Sequence, residues 1–177
     1  MVTVMRSEYG ITAVEVLVVL AIVAILVAVA APNLRDLITT NQVSHTATKL
    51  RLAMITARSE AIKRNAIIDI APKTVGTVTG WENGWEVQVS STSSVISNYD
   101  AVSGVTITRT DDATCSTASA TPNAVVQYRN FGRVSNSNIC FRITATDAPT
   151  SATKCVAVNP SGMAYYYIDS GTGQTCF

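Results

Sequence analysis

The sequence predicts an α+β protein: a long, kinked N-terminal helix packed on an antiparallel β-sheet head. Three observations carry this. An apolar run from Ile11 to Ala31 is broken only by Thr12 and Glu15. Beyond Pro32, apolar residues recur at helical spacing as far as Ala61. From Ala66 the period drops to two and turn residues separate short alternating runs, the pattern of strands joined by hairpins.

The apolar run is 21 residues long, about the length of one helical membrane span. A carboxylate inside it costs about 3 kcal/mol, so Glu15 is a functional candidate. If the chain is cut after Gly10, Ile11 carries a new amine and Glu15 lies one helical turn further on. In a medium of low dielectric an amine and a carboxylate attract strongly. Helix geometry disfavours the pairing within one chain, so the amine of a neighbouring copy is the better partner, and the pair sets the register of stacked subunits. The alternative is a plain anchor that tolerates Glu15 near one membrane face. Ala30-Ala31-Pro32 makes a poor signal-peptidase site because proline follows directly. A cut before the run keeps the run in the mature protein.

Pro32 falls inside the helix. Proline removes one backbone hydrogen bond and clashes with the preceding turn, so a kink is expected there. Beyond it, Val43, Ala47, Leu50, Met54, Ala57 and Ala61 form one apolar stripe, suited to lie on a sheet. Arg51, Arg58, Lys63 and Arg64 occupy the other faces, with Glu60 and Arg64 as an i,i+4 pair worth ~0.3 kcal/mol. Asn65 stops the helix.

The head begins with a short strand over Ala66–Ile70. A turn-rich connection from Pro72 to Gly80 follows, with a weak strand inside it. Asn83-Gly84 reads as a hairpin turn, leading into a strand over Trp85–Ser90. Further strands are predicted over Val95–Tyr99, Val105–Arg109, Ala124–Asn130, Ile139–Thr144, Lys154–Val158 and Met163–Ile168. A loop from Asp111 to Asn123 is tied down by Cys115, and the tail from Gly171 is pinned by Cys176. Trp81 and Trp85 read as core aromatics, and Tyr165-Tyr166-Tyr167 must alternate faces, exposing at least one ring.

Composition narrows the function. Charged residues are only 14% of the chain and the net charge is +1, which suits an exported β-rich surface. Residues 33–65 carry +4 and residues 66–177 carry −2, so the head is not built for broad phosphate binding. The four cysteines all follow the anchor, and the even count reads as two disulfides, with three pairings open. A hairpin of adjacent strands would set Cys140 opposite Cys155. No Cys-x-x-Cys pair exists and His45 is the single histidine, so no metal site and no cofactor are expected. One histidine with no partnered nucleophile gives no catalytic set, and the reading is of a non-enzyme.

The spacing of Gly10, Ile11, Glu15 and Pro32 resembles the N-terminus of type IV pilins and type II secretion pseudopilins. Ile11 stands where phenylalanine is usual and Tyr9 where a basic residue often precedes the glycine. Thr56 to Asn65, and Gly84-Trp85 entering a strand, are similar to the FimT/FimU/GspH group of minor pilins and pseudopilins. The resemblance covers roughly the first half of the chain.

The resemblance implies residues 1–10 as a leader removed by a prepilin peptidase, with methylation of Ile11. It implies residues 11–32 as membrane anchor and filament core, 33–65 as the amphipathic half of the helix, and 66–177 as the pilin head. Glu15 would guide incorporation into a filament. The implied partners are other minor and major pilins and the inner-membrane assembly platform. The chain would sit in the bacterial inner membrane with its head in the periplasm, then in the pilus at the cell surface. FimU-like chains imply a Cys140–Cys176 bond, leaving Cys115 for Cys155.

The favoured function is that of a minor type IV pilin that starts assembly or forms the tip, serving twitching motility or adhesion. One alternative is a minor pseudopilin of type II secretion. The other is a DNA-binding minor pilin of natural transformation. That activity uses a late Gly-Arg-x-Arg motif. Here Gly162 is followed by Met163 and Ala164, and Gly132-Arg133 keeps only one arginine, so DNA is the less favoured partner.

Overall fold

The computed structural model describes residues 10, 12–111, 119, 121–135, 138–145 and 153–168; of residues 29–33, 167 and 168 it describes the backbone alone. Helix α1 (Ala13–Arg64) is followed by eight strands: β1 (Ile68–Val75), β2 (Val78–Val89), β3 (Ser94–Asp100), β4 (Val105–Thr110), β5 (Val126–Tyr128), β6 (Ile139–Ala145), β7 (Lys154–Val158) and β8 (Ala164–Ile168). The chain forms two compact units, Met1–Leu37 and Ile38–Phe177. In the first, Thr12 caps α1, and every described side chain from Thr12 to Ala28 is exposed.

The second unit has one main core. All six residues of the predicted stripe, Val43, Ala47, Leu50, Met54, Ala57 and Ala61, are fully buried. They share a cluster with Ile68, Ile70 and Val87 of one sheet and with Ile139, Phe141 and Val156 of another. The helix ends where Asn65 turns into the left-handed region at φ 50°. Asn65 N–H then reaches Ile62 O and Ala66 N–H reaches Ala61 O, both at 3.2–3.3 Å, a Schellman closure that satisfies the last carbonyls.

The single sheet expected from the sequence is two antiparallel sheets, ordered β3-β2-β1-β5 and β4-β6-β7-β8. The expected turn at Asn83-Gly84 is also corrected. β1 continues through the region read as a connection, and the hairpin turns at Gly76-Thr77, between Val75 and its partner Val78. Trp81 to Gly84 instead form a bulge in β2, because Pro72 pairs with Trp85 while Lys73 pairs with Gly80. Proline cannot donate to the ladder, so pairing breaks beside it. Asn83 Nδ2 closes the bulge by donating to Val78 O at 2.8 Å. Gly84 lies against β3, where a Cβ would come 2.3 Å from Tyr99 O.

The bulge joins the sheets. It turns the Glu82 carboxylate to β4, where Oε1 accepts the Ile107 N–H at 2.8 Å, while Glu82 O accepts the Val102 N–H at 3.0 Å. Trp81 and Trp85 are core residues, 1% and 0% exposed. Trp81 packs edge-on to Phe141 at 4.6 Å and Trp85 stacks on Tyr99 at 5.6 Å. In β8, Tyr165 is half-buried and Tyr166 exposed, with Lys154 Nζ 6.0 Å from the Tyr166 ring.

Candidate functional site

At the start of α1, Thr12-Ala13-Val14-Glu15 has the form of a capping box. Thr12 Oγ1 accepts the Glu15 N–H at 3.3 Å, and Thr12 O accepts the Val16 N–H at 3.3 Å. This fixes the first helical residue as Ala13. Among the described residues nothing hydrogen-bonds or pairs with the Glu15 carboxylate. Val16, Val19 and Leu20 surround it on the helix surface. Gly10 is exposed, outside the helix, and a Cβ built on it would meet no atom within 4 Å. Ile11 lies outside the described residues. The sequence reading singled out Glu15 and missed Thr12, although Thr-x-x-Glu before an apolar run is a recognisable helix start.

The segment that follows is apolar all round. Leu17, Ile25 and Leu26 are each more than 60% exposed, a state that a helix keeps only if lipid or other chains cover it. Among the described residues no helix is long and apolar enough to cross a membrane. The described side chains of the run stop at Ala28, short of the roughly 20 apolar residues that a span requires. Pro32 lies within α1, and its side chain is outside the description.

The head carries a second notable feature, a turn between β5 and β6. Arg129 N–H donates to Arg133 O at 2.8 Å and Gly132 N–H to Arg129 O at 2.7 Å. The turn leans on α1. Arg58 Nε donates to Gly132 O at 3.2 Å, and Asn130 Nδ2 donates to Asn65 Oδ1 at 2.9 Å. Its tip is Phe131, 60% exposed, with exposed Arg129 and Arg133 on either arm. Lys63 and Arg64 of the last helical turn hold Glu60, whose carboxyl stays below its ordinary range chiefly through the Arg64 hydrogen bond. A second turn, Asn159 to Gly162, packs beneath. There the Tyr128 hydroxyl donates to Gly162 O at 3.4 Å, and burial pushes that phenol well above its ordinary range.

Arg109 is a buried cation that sequence reading missed. It is 1% exposed on the inward face of β4. Its guanidinium pairs with Asp111 at 2.8 Å and donates to Ala124 O, so it holds both ends of the segment between β4 and β5. Strict alternation after Val105 and Ile107 places Arg109 inward, and that parity was the available signal.

Cys140 and Cys155 are both buried on the outward face of the second sheet, beside Ala157. The hairpin does not set them opposite one another. Cys140 faces Ala157 and Cys155 faces Arg142, an offset of two residues. Cys115 and Cys176 lie outside the described residues. A cleft of about 390 Å³ between α1 and the loop after β3 is lined by Gln42, His45, Lys49, Val102 and others, with no carboxylate among them. No group of three metal-binding side chains occurs among the described residues.

A helix whose apolar stripe is laid on antiparallel sheets defines a pilin-type fold. The family described as type II transport protein GspH matches residues 46–162, and the chain belongs to that family. Two solved structures of the type IV minor pilin FimU from Pseudomonas aeruginosa share the fold. The first, in space group P21, has a TM-score of 0.59 at 17% identity, covering 77% of this chain and 96% of FimU. The second, in P65, has a TM-score of 0.57 at 17% identity, covering 76% and 99%. No curated protein matches the chain. The family is thus that of a type II transport protein, and the fold is one shared with a type IV minor pilin.

Proposed function

We propose that this chain is a minor type IV pilin, processed after Gly10, methylated at Ile11 and incorporated into the pilus, where it starts assembly or forms the tip. The observation that carries this is an unpartnered apolar helix, bearing one unengaged carboxylate at Glu15, in the same chain as a FimU-like head. Before assembly the apolar stretch would be held in the inner membrane, with the head in the periplasm. The family description keeps a second reading, a minor pseudopilin of type II secretion. Filaments sheared from cells should contain this chain at low stoichiometry, starting with methylated Ile11 by mass spectrometry. Deleting it should abolish surface pili. Intact pili with failed protein secretion would move the assignment to the pseudopilin.

For the disulfides we propose Cys140–Cys176; Cys155, which the resemblance leaves for Cys115, is not in a disulfide in the structure. Cys140 is disulfide-bonded, and the register sets Cys155 two residues off from it. A bond from Cys140 to Cys176 would restrict the unfolded chain by about 4 kcal/mol in the loop-entropy picture. Non-reducing peptide maps of exported protein should link Cys140 to Cys176, and a Cys140–Cys155 peptide would refute the pairing.

A DNA-binding role has one observation in its favour. Exposed Arg129 and Arg133 stand on the two arms of one turn, with Phe131 exposed at its tip and Arg129 Nε donating to Ser135 Oγ at 3.1 Å. Arginines on phosphates and an aromatic ring under a base are the recurring means of holding a single strand. Under this reading, single-stranded DNA retardation weakens about tenfold or more in Arg129→Ala/Arg133→Ala, and rising salt weakens the unmodified protein. A retardation that neither change affects removes the reading.

A further inference from the structure

We infer that the turn at Phe131 docks on a second copy of this chain, seating at the opposite, β3 edge of that copy's first sheet. The contact does not depend on cutting after Gly10 or on Glu15, so it stands or falls apart from the assembly reading. The sheet is ordered β3-β2-β1-β5, and its two edges carry opposite charge. Trp85, Val87 and Tyr99 pack in or against the core, so alternation puts Glu86 and Asp100 on the outward face near the β3 edge. The Asp100 side chain is 96% exposed and meets Lys73 Nζ only at 3.9 Å. Val95 of the same strand is exposed and adds an apolar contact. At the β5 edge a relay of hydrogen bonds fixes Arg129. Its Nε donates to Ser135 Oγ at 3.1 Å, Ser135 Oγ donates to Gln127 Oε1 at 3.2 Å, and Gln127 Nε2 donates to Asp69 Oδ1 at 3.0 Å. The exposed Phe131 ring and Arg133 complete this end. β3 and β5 are three strand spacings apart, about 14 Å, beyond one Debye length at physiological salt, so the two edges of one head do not neutralise each other. Outside Arg129 and Arg133, residues 66–177 hold four basic and eight acidic side chains, so the cationic turn is complementary to a second head. An aromatic ring and arginines on a rigid support are the usual anchors of an interface. Because two different patches meet, the contact repeats from copy to copy.

The test uses the full chain in detergent, carrying Phe131→p-benzoylphenylalanine as a photo-cross-linker, with isotopically light and heavy copies mixed. Light-to-heavy cross-links should map to β3, and rising salt should lower their yield. Arg129→Glu/Arg133→Glu should lower the yield about tenfold or more, because like charges then face each other. Glu86→Arg/Asp100→Arg should do the same. The two variants mixed should cross-link again near the unmodified yield, since opposite charges are restored. Light-to-heavy cross-links that map to α1, or their absence, overturn the inference whatever the variants do. So does a mixture of the two variants that stays uncross-linked although each keeps the near-UV circular dichroism of the unmodified chain. Cross-linking that survives Arg129→Glu/Arg133→Glu while single-stranded DNA retardation is lost also overturns it, and returns the turn to the DNA reading.

Discussion

Glu15→Val should leave the chain in the membrane and keep it out of filaments. The substitution makes the apolar run more apolar, so insertion persists or improves. It also leaves the helix start intact, because Thr12 is bonded to the backbone N–H of residue 15 and not to its side chain. What disappears is the one carboxylate in a stretch whose described side chains are all exposed. If a neighbour's N-terminal amine pairs with it inside hydrocarbon, removing one partner costs about 3 kcal/mol or more. That corresponds to a fall on the order of a hundredfold in incorporation. Quantitative blotting of membrane and sheared-filament fractions checks this. Loss of the variant from the membrane, or unchanged incorporation, would defeat the assignment of Glu15 to assembly.

Gly162→Ala should be the most damaging single methyl group in the head. Gly162 has φ +81°, and an added Cβ would lie 2.0 Å from Gly132 O and 3.1 Å from the Tyr128 ring. Backbone cannot yield as a flexible side chain does. Gly132 itself is held against α1, where its own added Cβ would lie 2.7 Å from Ile62. The turn must therefore move away from helix and strand together, breaking the buried Tyr128 bond to Gly162 O. Strain in the left-handed region plus that lost bond amount to about 3 kcal/mol, or roughly a 10 °C drop in Tm for a domain of this size. Gly76→Ala is the control. Gly76 has φ +62° but nothing within 4 Å, so only the strain of about 1 kcal/mol applies. Near-UV circular dichroism of the packed Trp81 and Trp85 follows the transition. If Gly162→Ala melts with Gly76→Ala, the close packing of the two turns is not what holds this end of the head.

The sequence by itself determined the pattern-borne features. The buried stripe from Val43 to Ala61 follows from helical spacing, the end of α1 at Asn65 from one residue that tolerates positive φ, and most strands from alternation. These are local: each depends on a few neighbours along the chain. Glu15 stands out in the sequence for the same reason, as one charge in an apolar run, and its part in assembly rests on the proposal above.

Tertiary structure decided what depends on residues far apart. Asn83-Gly84 has the composition of a hairpin turn, yet it forms a bulge, because Pro72 interrupts the ladder opposite and Glu82 finds the Ile107 N–H on another strand. That bond joins two sheets where alternation suggested one. Arg109 is buried because Asp111 and Ala124 O meet its guanidinium together. Arg129 and Arg133 become one cationic turn only when the backbone folds back between them and seats Gly132 on α1. A hydrogen bond or ion pair between distant residues leaves no period in the sequence, since its partners are chosen by where the chain returns in space.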